Sequence, residues 1–175
     1  MPMPQFVLYI ATTLDGYIAR PDGRIDWLNS FEAGEEDYGY SAFYATIDAL
    51  IMGATTYEQV LGFGDWVYAG KRSYVLTQRP LTSDRDDIVF VNGGLEAVLK
   101  AIHAAGYQRV WIVGGGNVAS QFMAQRLIDE YIIAILPIIL GDGIALYQSV
   151  PEQRLRLIDA TSYPTGAVVL RYQQP

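Results

Sequence analysis

Short apolar runs rich in β-branched and aromatic residues alternate along this chain with segments whose apolar residues recur at helical spacing. Strands buried on both faces belong to parallel sheets with helical crossovers, so the pattern predicts an α/β fold. The expected strands are Phe6–Thr13, Ala49–Met52, Arg72–Thr77, Ile88–Val91, Arg109–Val113 and Glu130–Leu140, the last with a bend at Pro137. Helices are expected over Ser41–Ile47, Thr55–Leu61, Leu95–Ala105 (stopped by Gly106) and Val118–Leu127. Arg154–Thr161 and Ala167–Tyr172, flanking Pro164-Thr165-Gly166, predict an antiparallel pair near the C-terminus. No repeat or linker divides the 175 residues, so residues 1–175 read as one domain.

Several kinds of chemistry are excluded before any motif is read. The formal charge is −7 and no Lys/Arg cluster occurs, whereas a nucleic-acid binder needs a basic stripe to neutralise phosphates. With no cysteine there is no disulfide, no thiolate zinc site and no cysteine nucleophile. The one histidine, His103, falls within a helical segment and is expected at its surface or as a satisfied helical residue; no metal site is expected. The N-terminus lacks the basic start and apolar stretch of a signal peptide, and the run Tyr131–Leu140 is far short of a membrane span. A cytoplasmic protein without nucleic-acid or membrane partners is the expectation.

Two strand–glycine–helix junctions carry the functional signal. The first is Leu50-Ile51-Met52-Gly53-Ala54-Thr55-Thr56-Tyr57-Glu58. A helix start offers unpaired amides and a positive dipole end suited to phosphate, and glycine lets a ligand approach the main chain. The same residues also satisfy a capping box, Thr55-x-x-Glu58, which needs no ligand. The second is Val110-Trp111-Ile112-Val113-Gly114-Gly115-Gly116-Asn117-Val118-Ala119. It fits G-x-G-x-x-G/A, but the acidic residue a Rossmann fold places about 20 positions onward falls in the apolar stretch Ala134–Ile139, so that fold is rejected. A third element, Val75-Leu76-Thr77-Gln78-Arg79-Pro80, ends a strand in groups able to hold a phosphate, or forms an exposed turn.

In order, these segments resemble the dihydrofolate reductase-like superfamily, and within it the RibD C-terminal family of riboflavin-biosynthesis reductase domains. The matching stretches are Thr13–Ala19 (TLDGYIA), Asp48–Glu58, Val113–Gly116, Leu127–Glu130 and Pro137–Gly143. The resemblance implies a three-layer fold: a mostly parallel twisted sheet flanked by helices, with an antiparallel C-terminal strand. It implies NADPH at the carboxyl ends of the strands. Gly53, Thr55 and Thr56 would then hold the diphosphate from one side, and Val113, Gly114, Gly115, Gly116, Asn117 and Val118 from the other. Thr77, Gln78 and Arg79 would meet the 2′-phosphate, and the backbone at Ala11, Ile18 and Ala19 the nicotinamide carboxamide. A cis peptide is implied between Gly114 and Gly115.

The implied function is an NADPH-dependent reductase of a small heterocyclic or sugar-like substrate, resembling 5-amino-6-(5-phosphoribosylamino)uracil reductase. The alternatives are a non-catalytic NADP-binding module and a divergent dihydrofolate reductase. Hydride transfer needs a dry, shaped pocket and a proton for the atom left negative. Trp27, Phe31, Tyr40 and Tyr44 are candidates to wall that pocket, or are core; Asp15 orients the first loop, or makes an Asp-Gly turn. Asp26, Glu32 and Tyr44, or water, are the candidate proton donors. A homodimer is expected, with the strand Tyr131–Leu140 at its interface.

Overall fold

The computed structural model describes residues 3–32 and 34–175. Strands β1 (Gln5–Thr13), β3 (Ala49–Gly53), β4 (Arg72–Leu76), β5 (Ile88–Val91), β6 (Arg109–Gly114), β7 (Glu130–Leu136), β9 (Arg156–Ser162) and β10 (Val168–Gln173) form one sheet in the order β5-β4-β3-β6-β1-β7-β10-β9. The first six are parallel; β10 runs antiparallel to β7, and β9 antiparallel to β10. A separate ribbon pairs β2 (Tyr17–Ala19) with β8 (Ile144–Ala145). The helices are α1 (Asn29–Glu32), α2 (Tyr40–Ala45), α3 (Ala54–Leu61), α4 (Gly94–Ala105) and α5 (Gly116–Ala124).

Strand alternation builds the three layers. Phe6, Leu8, Ala49, Ile51, Val110, Ile112, Tyr131 and Ile133 point to one face, where α4 and α5 add Leu95, Val98, Ile102, Val118 and Phe122. Their neighbours Val7, Tyr9, Leu50, Met52, Trp111 and Ile132 point to the other, against Phe43, Tyr57 and Val60 of α2 and α3. Helix α4 buries positions 95, 98 and 102, the spacing of one helical face, and ends at Gly106 in the left-handed region (φ +75°) as its sequence predicts.

The sequence reading extends β7 too far. The strand stops at Leu136 because Pro137 has no N–H to give a ladder. The Ile138 amide turns back to the Leu136 carbonyl (2.8 Å), and the Ile138 carbonyl accepts from Leu14 (2.9 Å). Nor does β7 offer an interface: it lies inside the sheet between β1 and β10, with six of its seven residues buried. Asp129 and Glu130 fix the entry to this strand. The Asp129 carboxylate accepts from the Phe6 amide (2.8 Å), while Glu130, 2% exposed, is gripped by Arg109 (2.8 Å) and Arg171 (2.5 Å). Among the described residues no helix is long and apolar enough to cross a membrane.

Candidate active site

The carboxyl ends of β4, β3, β6 and β1, four neighbours in the sheet, open onto one cleft of about 770 Å³. Both glycine junctions lie on it. Gly53 caps α3 and Gly115 caps α5, and neither helix start carries a side-chain cap. The first amides of both helices are therefore left for a ligand. The two entrances touch each other: the Gly115 amide donates to the Thr56 hydroxyl at 2.8 Å. The capping box does not form: α3 starts at Ala54 with Gly53 at the cap, so Thr55 lies inside the first turn, and the Glu58 carboxylate reaches Arg79 (2.8 and 2.9 Å).

Space at these joints is tight. A Cβ on Gly115 would come within 3.3 Å of the Thr56 hydroxyl, and one on Gly53 within 3.2 Å of the Val118 side chain. Gly114 has φ +126°, which side chains disfavour. The Gly114–Gly115 peptide is cis.

Most of the implied cofactor residues line this cleft. From β1 and β2 come Ala11, Ile18 and Ala19; from the first junction Gly53, Thr55 and Thr56; from the end of β4 Thr77 and Gln78; and from the second junction Val113 through Val118. Arg79 does not line it. It stands just outside, half-exposed and held bidentately by Glu58.

The expected pocket wall is placed differently. Tyr40 and Tyr44 stack on each other (centroids 5.6 Å apart) and meet Trp111 edge-on, within the core beneath α2. Trp27 and Phe31 pack on Leu136 and Ala167 in a third apolar cluster. None of the four lines the cleft, because aromatic rings on short elements after β2 are needed to close the core there. Asp15 also lies outside. It accepts from the Thr13 hydroxyl (2.6 Å) and the Gly141 amide (2.8 Å), and so ties the Asp-Gly turn to the loop after β7.

Among the candidate proton donors, Glu32 lines the cleft, while Asp26 and Tyr44 do not. Arg20 holds the Asp26 carboxylate at 2.7 Å and keeps its pKa below the ordinary carboxylate value, so Asp26 stays ionised near neutrality. Burial pushes the Tyr44 hydroxyl up.

Several cleft residues go unread in the sequence. Gly94 lines the cleft at the start of α4, and its context Val91-Asn92-Gly93-Gly94-Leu95 is a third strand–glycine–helix junction, legible by the reasoning applied to the other two. Tyr68, Phe63, Ile25 and Leu28 also line it, from loops and short helices without periodicity. Gln59 lines it too, and its side-chain amide donates to the Gly23 carbonyl (2.8 Å), fastening the loop after β2 to α3.

A mostly parallel sheet with an antiparallel end, three helix starts converging on a cleft at its carboxyl edge, and a flanking two-stranded ribbon define a dihydrofolate reductase-like α/β protein. The chain belongs to the RibD C-terminal domain family, whose model matches residues 4–170. It is 40% identical over 167 residues to the uncharacterized protein YwjB of Bacillus subtilis (strain 168), covering 95% of each chain. A crystal structure from Shewanella sp. PV-4, named for riboflavin biosynthesis, superposes with TM-score 0.88 at 30% identity, over 98% of this chain and 99% of that one. The fold is shared by a diaminohydroxyphosphoribosylaminopyrimidine deaminase/5-amino-6-(5-phosphoribosylamino)uracil reductase from Thermotoga maritima (TM-score 0.73, 18% identity), with 99% of this chain matched to 57% of that one.

Proposed function

We propose that the chain is an NADPH-dependent reductase that delivers hydride to a small heterocyclic or sugar-like molecule. The observation that carries this reading is the contact between the two helix entrances: the Thr56–Gly115 bond brings two uncapped helix starts to one cleft, where their amides can share a diphosphate. Gly53, Thr55 and Thr56 hold one side of that group, and Gly115, Gly116 and Asn117 the other. The backbone of Ala11, Ile18 and Ala19 orients the nicotinamide carboxamide. When bound, the cofactor supplies the hydride. The chain aligns the acceptor, excludes water with the apolar side chains of Ile25, Leu28 and Val60, and leaves Glu32 or solvent as the source of the proton.

The test is thermal. NADPH at about 100 times its dissociation constant stabilises a folded protein by roughly 2.7 kcal/mol, which for a chain of this size moves the midpoint by roughly 5–10 °C. No shift with millimolar NADPH or NADP⁺ overturns the reading.

Arg79 offers a sharper check. Its guanidinium is two residues from the cleft residue Thr77, and a 2′-phosphate can take over the bidentate bonds now made to Glu58. Arg79→Ala is expected to weaken NADPH at least tenfold, about 1.4 kcal/mol, while leaving NADH nearly unchanged. Equal losses for both cofactors in a calorimetric titration remove Arg79 from that role.

A further inference from the structure

A second cavity, of about 340 Å³, lies between α2 and the antiparallel end of the sheet. Ala42 and Phe43 of α2 line it from the helix layer, and Arg171 of β10 and Asp159 of β9 from the sheet. Tyr9 is the one lining residue it shares with the cofactor cleft.

Opposite charges stand apart in this cavity. Arg109 and Arg171 both line it, and both grip one carboxylate, that of Glu130 (2.8 and 2.5 Å). Two guanidiniums on one carboxylate leave a positive charge over. Arg171 spends Nε and Nη2 on Glu130, and its Nη1 has no partner among the described residues. Asp159 stands opposite Arg171 in the β9–β10 register, yet the two form no ion pair. One Asp159 oxygen accepts from the Thr161 hydroxyl (2.8 Å), and the other accepts from no group among the described residues. Neighbouring strands lie roughly 5 Å apart, a span that an ammonium and a carboxylate on one carbon can bridge.

Much of the remaining lining is aromatic. Tyr38 and Tyr163 meet edge-on (centroids 5.1 Å apart), and the Tyr9 hydroxyl donates to the Tyr38 carbonyl (3.0 Å). Tyr38 holds φ +54°, in the left-handed region that side chains disfavour. Such strain persists only where the surroundings impose it, and it gathers at ligand sites.

We propose that this cavity binds an aromatic α-amino acid, with its carboxylate on Arg171, its ammonium on Asp159 and its ring against Tyr38 and Tyr163. A simple anion would lie beside the Asp159 carboxylate, and a simple amine beside the Arg171 guanidinium; each meets a like charge, and a zwitterion meets neither. The proposal is independent of the reductase reading.

The experiment titrates L-phenylalanine into the protein by calorimetry, beside phenylacetate, which lacks the ammonium, and phenethylamine, which lacks the carboxylate. L-Phenylalanine is expected to bind with a millimolar or lower Kd, and each analogue about tenfold more weakly. Asp159→Asn keeps the size of the side chain and removes its charge. It is expected to weaken L-phenylalanine about tenfold and to leave phenylacetate no weaker. Ala42 is exposed on α2, so Ala42→Trp fills the cavity from the helix side and is expected to abolish binding. Melting midpoints show that both variants are folded; should Ala42→Trp not fold, the Asp159→Asn comparison decides. The proposal is overturned if L-phenylalanine does not bind, if either analogue matches it, or if binding survives Ala42→Trp or is unmoved by Asp159→Asn. Displacement of L-phenylalanine by NADP⁺ places it in the cleft and overturns the proposal as well. A protein that binds L-phenylalanine but not NADPH keeps this site and loses the reductase reading.

Discussion

Glu130→Ala is expected to destabilise the protein by about 3 kcal/mol, because it leaves the Arg109 and Arg171 guanidiniums without the buried carboxylate that joins them. For a domain of this size that is a fall in midpoint of roughly 6–12 °C. The site lies at the amino ends of the strands, away from the cleft, so stability is the direct readout. Its pH dependence has a definite sign. Burial pushes the Glu130 carboxyl up, but the bonds from Arg171 and Arg109 outweigh it and the net shift is downward. A depressed folded value means the stabilisation is fully present above the unfolded glutamate pKa of about 4.3 and is lost as pH falls through the folded value. Melts between pH 7 and pH 3 should therefore show the gap between parent and variant closing on the acid side. A constant gap would mean that Glu130 stabilises through its volume and not its charge.

Gly143→Ala is expected to damage both folding and ligand binding. A Cβ at Gly143 would stand 2.3 Å from the Ala19 carbonyl oxygen and 3.1 Å from the Tyr17 ring. The oxygen is backbone and cannot rotate away, so β2 and its pairing with β8 must move. Overpacking of this kind costs roughly 1–3 kcal/mol. Because Ile18 and Ala19 of the displaced ribbon line the cleft, affinity for NADPH is expected to fall at least tenfold as well. A variant with the parental midpoint and affinity would show that the ribbon does not position the cleft.

The parallel layer was legible because its strands are buried on both faces, and burial writes itself into composition as runs such as FVLYIATT and ALIM. The glycine junctions were legible for a related reason: where the chain turns from a strand into a helix against a neighbouring loop an added Cβ is tightly hemmed, as at Gly53 and Gly115. The far wall of the cleft was not. Among the described residues between 20 and 40 there are short turns, a single 3₁₀ turn and the one-turn helix α1, none long enough to establish a period. Aromatic residues there looked equally suited to a pocket or to a core, and only packing partners separate the two; Trp111, with five aromatic rings around it, draws Tyr40 and Tyr44 inward. Glu58 illustrates a different limit. Its spacing from Thr55 suggested a local cap, yet the helix is capped at Gly53, so Thr55 already lies inside it, and Glu58 pairs with a guanidinium 21 residues away.

The Thr56–Gly115 hydrogen bond also bears on how the mouth of the cleft can breathe. With those two loops bonded to each other and anchored on adjacent central strands, that rim is a fixed jaw. The opposing rim, around Gly23, is tethered to α3 by the Gln59 amide. The two sides of the mouth are thus fastened unequally: one by a bond between two strand-anchored loops, the other by a single side-chain amide on a loop carbonyl.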